Sequence, residues 1–550
     1  MPHVIIQSCC SDGSCVYACP VNCIHPTPDE PGFATAEMLH IDPVACVDCG
    51  ACMSACPVGA IAPDTKLTAE QLPFVALNAS YYPELPTGEK LPPTSKLAPV
   101  VEAPMVRQRR TGPLRVAVVG SGPAAMYAAD ELLTQNGVRV NVFERLPTPY
   151  GLVRAGVAPD HQTTKRVTRL FDRIARHRGF RFYLNVRVGE HVSHDELLAH
   201  HHAVIYAVGA SSDRRLDIDG FGMTGTATAT ELVAWINAHP DYRDLAVPLE
   251  HERVLIVGNG NVALDVARIL TTDPKRLVHT DISRIALAAL RGSKVREVVV
   301  AARRGPAQSA FTLPEMIGLT ATSRVVLSAA DHELVHADLT DCIDTLTRYK
   351  LELLASLGVH DERDDAPVIR LAYRLMPSRV LGDERAIGIQ FSVMDTGETR
   401  ELEAGLVLSS IGYRGRPVPG LPFDDDAGVV PNDGGRVVGD VGSYVAGWIK
   451  RGPTGFIGTN KSCAQETVNA LVDDYNNGRL ADPAAPAALD KLIRHRQPDV
   501  VDLARWRAID RAEIDRGRAE DRPRDKFTTV DEMLKVAGAP RRGVLSLLKG

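Results

Sequence analysis

The chain has 550 residues, 45% of them hydrophobic and 24% charged, with a net charge of −6. That length exceeds one hydrophobic core and points to roughly two to four domains. The acidic balance disfavours a nucleic-acid binder, and no run of about 18 apolar residues marks a membrane span. The opening MPHVIIQSCC lacks the basic and long apolar regions of a secretory leader, so a cytoplasmic protein is expected.

Cysteine use is uneven. Nine of the eleven cysteines lie between Cys9 and Cys56, and Cys342 and Cys463 stand alone. Disulfide frameworks staple small secreted domains, so a cysteine-dense segment ahead of a long cysteine-poor chain is better explained by metal ligation. Residues 46–57, CVDCGACMSACP, have the spacing C-x2-C-x2-C-x3-C-P. Three thiolates in one short loop hold three corners of an iron–sulfur cube, and the fourth reaches a second cluster. Zinc sites more often use two CxxC knuckles separated by a loop. The earlier stretch CCSDGSCVYACP (9–20) follows the same ruler, with Asp12 where a thiolate belongs. This arrangement groups Cys9, Cys15 and Cys56 around a 3Fe–4S cluster, with Asp12 as an extra ligand if a fourth iron is held. It groups Cys19, Cys46, Cys49 and Cys52 around a 4Fe–4S cluster. Cys10 competes with Cys9 by adjacency, but Cys9 keeps the register. Cys23 reads as a buried free thiol beside a cluster. Residues 1–65 resemble the bacterial two-cluster ferredoxins of the seven-iron type, which implies an α+β electron-transfer domain. Residues 1–64 carry seven acids and no Lys or Arg, which leaves the remainder of the chain near +1. Such a head suits docking by charge to a redox partner.

Residues 66–112 turn Pro-rich, as in YYPELPTGEKLPPTSKLAPVVEAP, and predict an extended, semi-rigid linker. The basic run RQRR (107–110) closes it.

At 114–123 the text LRVAVVGSGP runs from an apolar strand into Gly120, Ser121 and Gly122, and good helix formers follow. Glycines there let the backbone approach a pyrophosphate at a helix N-terminus. The next strand, RVNVFE, ends in Glu144, placed to bond a ribose. A second instance, RVLIVGNGNVALDVARIL (253–270), carries Gly258 and Gly260. Its following strand, EVVVAARRG, ends in Arg303 and Arg304 instead of an acid. Two guanidinium groups would attract a 2′-phosphate, so this site is assigned to NADP and the first to FAD. Two such sites in one chain indicate a flavoprotein exchanging hydride with a nicotinamide.

Four stretches, PYGLVRAGVAPDH (149–161), GNGNVALDVARIL, RRGPAQSAFT (303–312) and GWIKRGPTGFIGTNK (447–461), resemble the adrenodoxin-reductase family of ferredoxin–NADP reductases. With the head, the whole is similar to the mycobacterial-type fusion of a seven-iron ferredoxin with such a reductase. The resemblance implies an FAD domain, discontinuous at 113–214 and 411–550, with the NADP domain inserted at 215–410. It implies that Ala124, Glu144, Leu152 and Val188 line the FAD adenosine and pyrophosphate, and that Trp448, Gly455, Phe456 and Ile457 lie by the flavin ring. Asn259, Gly260, Asn261 and Val262 would hold the NADP pyrophosphate. Glu315, together with Gly455, would sit near the nicotinamide, and His161 near the flavin in its proton network. Where relatives often carry a second acid, this chain has Gly318.

From Pro483 onward the text is polar and helical and suggests structure without chemistry. NADPH gives two electrons together, clusters accept them singly, and FAD can do both. The expected activity is therefore electron transfer from NADPH through FAD and the clusters to ferredoxin or another iron–sulfur or haem acceptor, by a monomer. Cys342 and Cys463 supply no CxxC pair for a disulfide-reductase mechanism. The alternatives are a subunit feeding a larger complex, or a redox sensor without turnover.

Overall fold

The computed structural model describes residues 2–82, 97–98, 103–107, 112–360 and 366–538. The N-terminal unit repeats one plan twice. Strand His3–Ile5 pairs antiparallel with Ile61–Pro63, strand Ile24–His25 pairs with His40–Ile41, and the short helices Ser14–Ala18 and Ala51–Ala55 pack together. Val4, Ile5, Val16, Ile24, Leu39 and Ile41 form its core around Cys15, Cys19 and Cys52.

The expectation of an irregular linker from residue 66 fails at Pro73–Ser80, which is helical. A capping box at Thr68 and Gln71, then Pro73 at the helix start, favour that turn. Phe74 and Leu77 enter the head's core. Asn78 accepts from the backbone N–H of Ile5 (3.1 Å) and of Ile41 (2.9 Å), joining the two strand pairs. Most of the Pro-rich text and residues 108–110 of the basic run lie outside the described residues.

Beyond the head come two α/β units. The first sheet orders its strands Asn432–Asp433, Arg436–Val437, Ser443–Val445, Ala203–Tyr206, Arg115–Val119, Arg139–Glu144 and Phe180–Leu184, the last five parallel. Two segments far apart in sequence thus share one sheet, and helix Pro123–Leu133 packs on helix Thr459–Asn476. The second sheet is parallel throughout, from Thr226–Thr228 through Leu406–Ser409, Arg253–Val257, Glu297–Ala301, Val368–Ala372 and Val325–Leu327 to Gly358–Val359. Its central strands are Val-rich and buried on both faces, as parallel strands covered by helices must be. The chain passes between the units along Ser212–Asp213 and back along Tyr413–Arg414, which pair antiparallel. After Pro483 come helices Leu489–Arg496, Leu503–Arg518 and Val530–Gly538. Glu513, fully buried, holds Arg154 by two bonds of 2.6 and 2.9 Å.

Candidate active site

The two Gly-rich turns are copies of one device. Gly120 and Gly258 have φ of 101° and 109°, and a Cβ on either would meet the carbonyl oxygen of Ala207 at 2.4 Å or Ser410 at 2.2 Å. Only glycine fits so close to the neighbouring strand. Gly122 and Gly260 have open space where a Cβ would stand. They precede helices Pro123–Leu133 and Asn261–Thr271, neither of which has a side-chain cap. Uncapped N–H groups beside open backbone suit the pyrophosphate of a dinucleotide.

At the first turn, Ser121 Oγ donates to Glu144 Oε2 (2.7 Å), and the Leu146 N–H donates to Glu144 Oε1 (3.1 Å), so the acid at the strand end is held toward the loop. Ala124 lies beneath Gly447, whose Cβ would meet its methyl at 2.5 Å. Leu152 opens the short helix Leu152–Ala155 and is exposed, whereas Val188 is half-buried against the core cluster that includes Phe143. Trp448 is half-buried, donates from Nε1 to Thr454 O (3.0 Å), and sits 5.1 Å from the Tyr413 ring. Gly455, Phe456 and Ile457 follow in a turn fixed by Thr459, whose Oγ1 accepts from Phe456 N at 2.9 Å. These residues fit FAD, and several come from the C-terminal segment that follows strand Ser443–Val445. Sequence reading missed Arg451, which reaches Thr454 O, Thr459 Oγ1 and Asn460 Oδ1.

At the second turn, Asn259 Oδ1 accepts from Ala310 N (3.3 Å), and Asn261 Oδ1 accepts from Thr312 N (2.9 Å). The Gly loop, with Val262 behind it, is thereby tied to the segment that carries Glu315. Arg303 and Arg304 are exposed beyond strand Glu297–Ala301, with no acidic partner among the described residues. Such unpaired guanidinium groups fit a 2′-phosphate. A ring nitrogen of His161 and one carboxylate oxygen each of Asp265 and Glu315 lie within 4.8 Å of one another. Burial pushes the Glu315 carboxyl up, opposed by His161, Gln7 and Arg268 and reinforced by Asp265. Gly455 lies on the other unit, in the turn with Phe456 and Ile457.

The two cysteine loops share backbone conformation at corresponding positions and lead into equivalent helices. Ser11 and Asp48 have φ of 56° and 55°, and Gly13 and Gly50 have 71° and 72°. Cys9 then matches Cys46, Asp12 matches Cys49, Cys15 matches Cys52, and Cys10 matches Val47. Cys19, Cys46, Cys49 and Cys52 line one cavity, with Cys23 at its wall. Cys23 Sγ lies 3.5 Å from Cys19 Sγ; this bond holds the Cys19 thiol down to about 5 and helps push Cys23 up. Burial pushes Cys9 and Cys52 up to about 11 and raises Cys15 and Cys56. Converging buried sulfurs need a cation to become thiolates, as iron supplies. Both Asp12 oxygens are turned to Ser14, accepting from its N–H (3.3 Å) and its hydroxyl.

The first loop faces the first α/β unit. Gly458 N donates to Cys10 O (2.7 Å), Lys461 Nζ donates to Ser14 Oγ (2.9 Å), and Cys10 joins the core of the first α/β unit. The second loop faces solvent, with Cys49, Val44 and Val47 exposed.

Comparisons with known proteins agree with this geometry. The family described as 4Fe-4S dicluster domain matches residues 8–60, and the family described as pyridine nucleotide-disulphide oxidoreductase matches 114–303. A "probable ferredoxin/ferredoxin--NADP reductase" of Mycobacterium tuberculosis is 69% identical, covering 100% of this chain and 98% of its own. The Mycobacterium leprae protein of that name is 68% identical over 98% of this chain and 99% of its own. The solved structure of Mycobacterium tuberculosis FprA in complex with NADPH is 40% identical and covers 77% of this chain and 99% of its own, with a TM-score of 0.72. Unlike a disulphide reductase site, Cys463 is buried and single, with its sulfur accepting from Gly447 N at 3.3 Å. A two-cluster head seated on paired dinucleotide folds, matched along its whole length, makes this chain a member of the ferredoxin/ferredoxin–NADP reductase family.

Proposed function

We propose that the chain takes electrons from NADPH and delivers them singly, through its own head, to a separate one-electron acceptor. The observation that carries this reading is the bond from Gly458 N to Cys10 O, which seats the first cysteine loop against the turn 455–457. FAD, when bound, supplies the conversion between a hydride and single electrons. The turns at Gly120 and Gly258 bind the two dinucleotides, and Arg303 and Arg304 select the one bearing a 2′-phosphate. Glu315 and His161 face the nicotinamide and the flavin edge, where they orient the ring and exclude water.

Cys9, Cys15 and Cys56 hold the inner cluster as 3Fe–4S, because Asp12 replaces the thiolate found at Cys49 and spends both oxygens on Ser14. Cys19, Cys46, Cys49 and Cys52 hold the outer cluster as 4Fe–4S. Its exposed rim, Cys49 with Val44 and Val47, is the exit toward a haem or iron–sulfur acceptor. Rapid-mixing of NADPH with the intact protein tests the order. Flavin reduction should precede cluster reduction, and cytochrome reduction should follow both. Cytochrome reduction at full rate after the clusters are removed would reject this route.

A further inference from the structure

The head also grips the NADP unit, at the first turn of helix Leu313–Thr322. Leu313 N donates to Glu37 Oε2 (2.7 Å), and Glu37 Oε1 accepts from Lys350 Nζ (2.6 Å). Two residues further along, Glu315 Oε2 accepts from Gln7 Nε2 (2.7 Å). Leu313 itself is buried in the head's hydrophobic core. Gly318, one turn on, makes the slot for Gln7: a Cβ there would stand 2.2–2.3 Å from the amide of that side chain.

We propose that Gln7 and Glu37 are positioning residues for Glu315, so that the nicotinamide end of the site is completed by the cluster-bearing head. The proposal rests on the reading above that Glu315 faces the nicotinamide. A half-buried carboxylate needs donors to hold one orientation. Gln7 fixes Oε2 by this bond, and the carboxyl it orients has a His161 ring nitrogen and an Asp265 carboxylate oxygen within 4.8 Å. Arg268 bonds to both Asp265 and Asp160 and so holds Asp265 in place. Glu37 satisfies a free N–H at the positive end of the helix that carries Glu315. No part of this clamp is local in sequence, since Gln7 and Glu315 are 308 positions apart.

The test is stopped-flow reduction of the flavin by NADPH in the full-length holoprotein, with flavin and iron content measured in each variant. Gln7→Ala and Gly318→Ala should each lower the limiting rate by about tenfold, with NADPH dissociation shifting much less. Gln7→Glu should fall further, because two carboxylates would then face each other. Glu37→Gln should have a smaller effect of the same kind. Glu315→Gln is the control. If it leaves the limiting rate unchanged, the reading of Glu315 fails. If it slows the rate while Gln7→Ala and Gly318→Ala do not, the clamp is overturned and the reading of Glu315 stands. Gly318→Ala removes no head residue, so a Gln7 variant that loses iron leaves the proposal open to refutation. Loss confined to flavin-to-cluster transfer, with normal flavin reduction, would mean that Gln7 only docks the head.

Discussion

Asp12 and Cys49 occupy the same place in two copies of one backbone path, each between a residue with φ near 55° and a glycine with φ near 71°. The loops differ in chemistry, and the carboxylate of Asp12 is bonded to Ser14. Replacing Asp12 with Cys should complete the fourth corner and raise the iron content from about seven to about eight per flavin. Low-temperature EPR of the oxidised protein should then lose the three-iron signal. Unchanged iron content and spectrum would contradict the assignment.

Gly458 sets the seam between the inner cluster and the reductase. A Cβ there would stand 2.3 Å from Asp12 N and 2.4 Å from Cys10 O. Gly458→Ala should therefore weaken the seam by about 1–3 kcal/mol. Electron transfer from flavin to clusters should slow several-fold, while reduction of the flavin by NADPH keeps its rate. Separate kinetic phases in a rapid-mixing experiment distinguish the two steps.

Arg303 and Arg304 stand beyond the end of their strand with no acidic partner among the described residues. Changing either to Ala should raise KM for NADPH about tenfold, the loss of a charge-assisted bond. The kcat should hold, KM for NADH should barely move, and the difference should shrink at high salt. Equal effects on NADPH and NADH would remove the 2′-phosphate from the account.

His201 is buried in the first α/β unit, with Nδ1 2.8 Å from Leu197 O and Nε2 2.8 Å from the Asn141 amide. Burial lowers it from 6.5 to about 4. A depressed histidine contributes stability that is present above its unfolded value and lost as pH falls toward its folded value. Between pH 6.5 and about 4, this site should cost up to about 1.4 kcal/mol per pH unit. Thermal melts should show a shallower acid dependence in His201→Gln, and identical slopes would refute the assignment.

The parts of this molecule that were legible in its sequence are those set by local geometry. The spacing around Cys46 and Cys9 and the turns at Gly120 and Gly258 are short patterns in which residue type follows from what the backbone or a ligand must do. The helix Pro73–Ser80 was masked by the Pro-rich text after it, although Thr68, Gln71 and Pro73 carried its start signal. Gln7, Glu37 and Lys461 had no signal at all. Their partners Glu315, Leu313 and Ser14 lie far away in the chain, and only docking of the head brings them together. Arg451 lay inside a stretch noted for its glycines and its tryptophan, and its role as the brace of that turn depends on Thr459 and Asn460.

Because the head is seated on both nucleotide-binding units, at Gly458 and Lys461 on one side and at Leu313 and Glu315 on the other, its placement is encoded in a fitted surface. The covalent connection between head and reductase then contributes effective concentration, not geometry. Shortening or lengthening the Pro-rich stretch should leave the electron path intact until the chain can no longer span the distance. A head supplied as a separate polypeptide should find the same seat, more weakly and in proportion to its concentration.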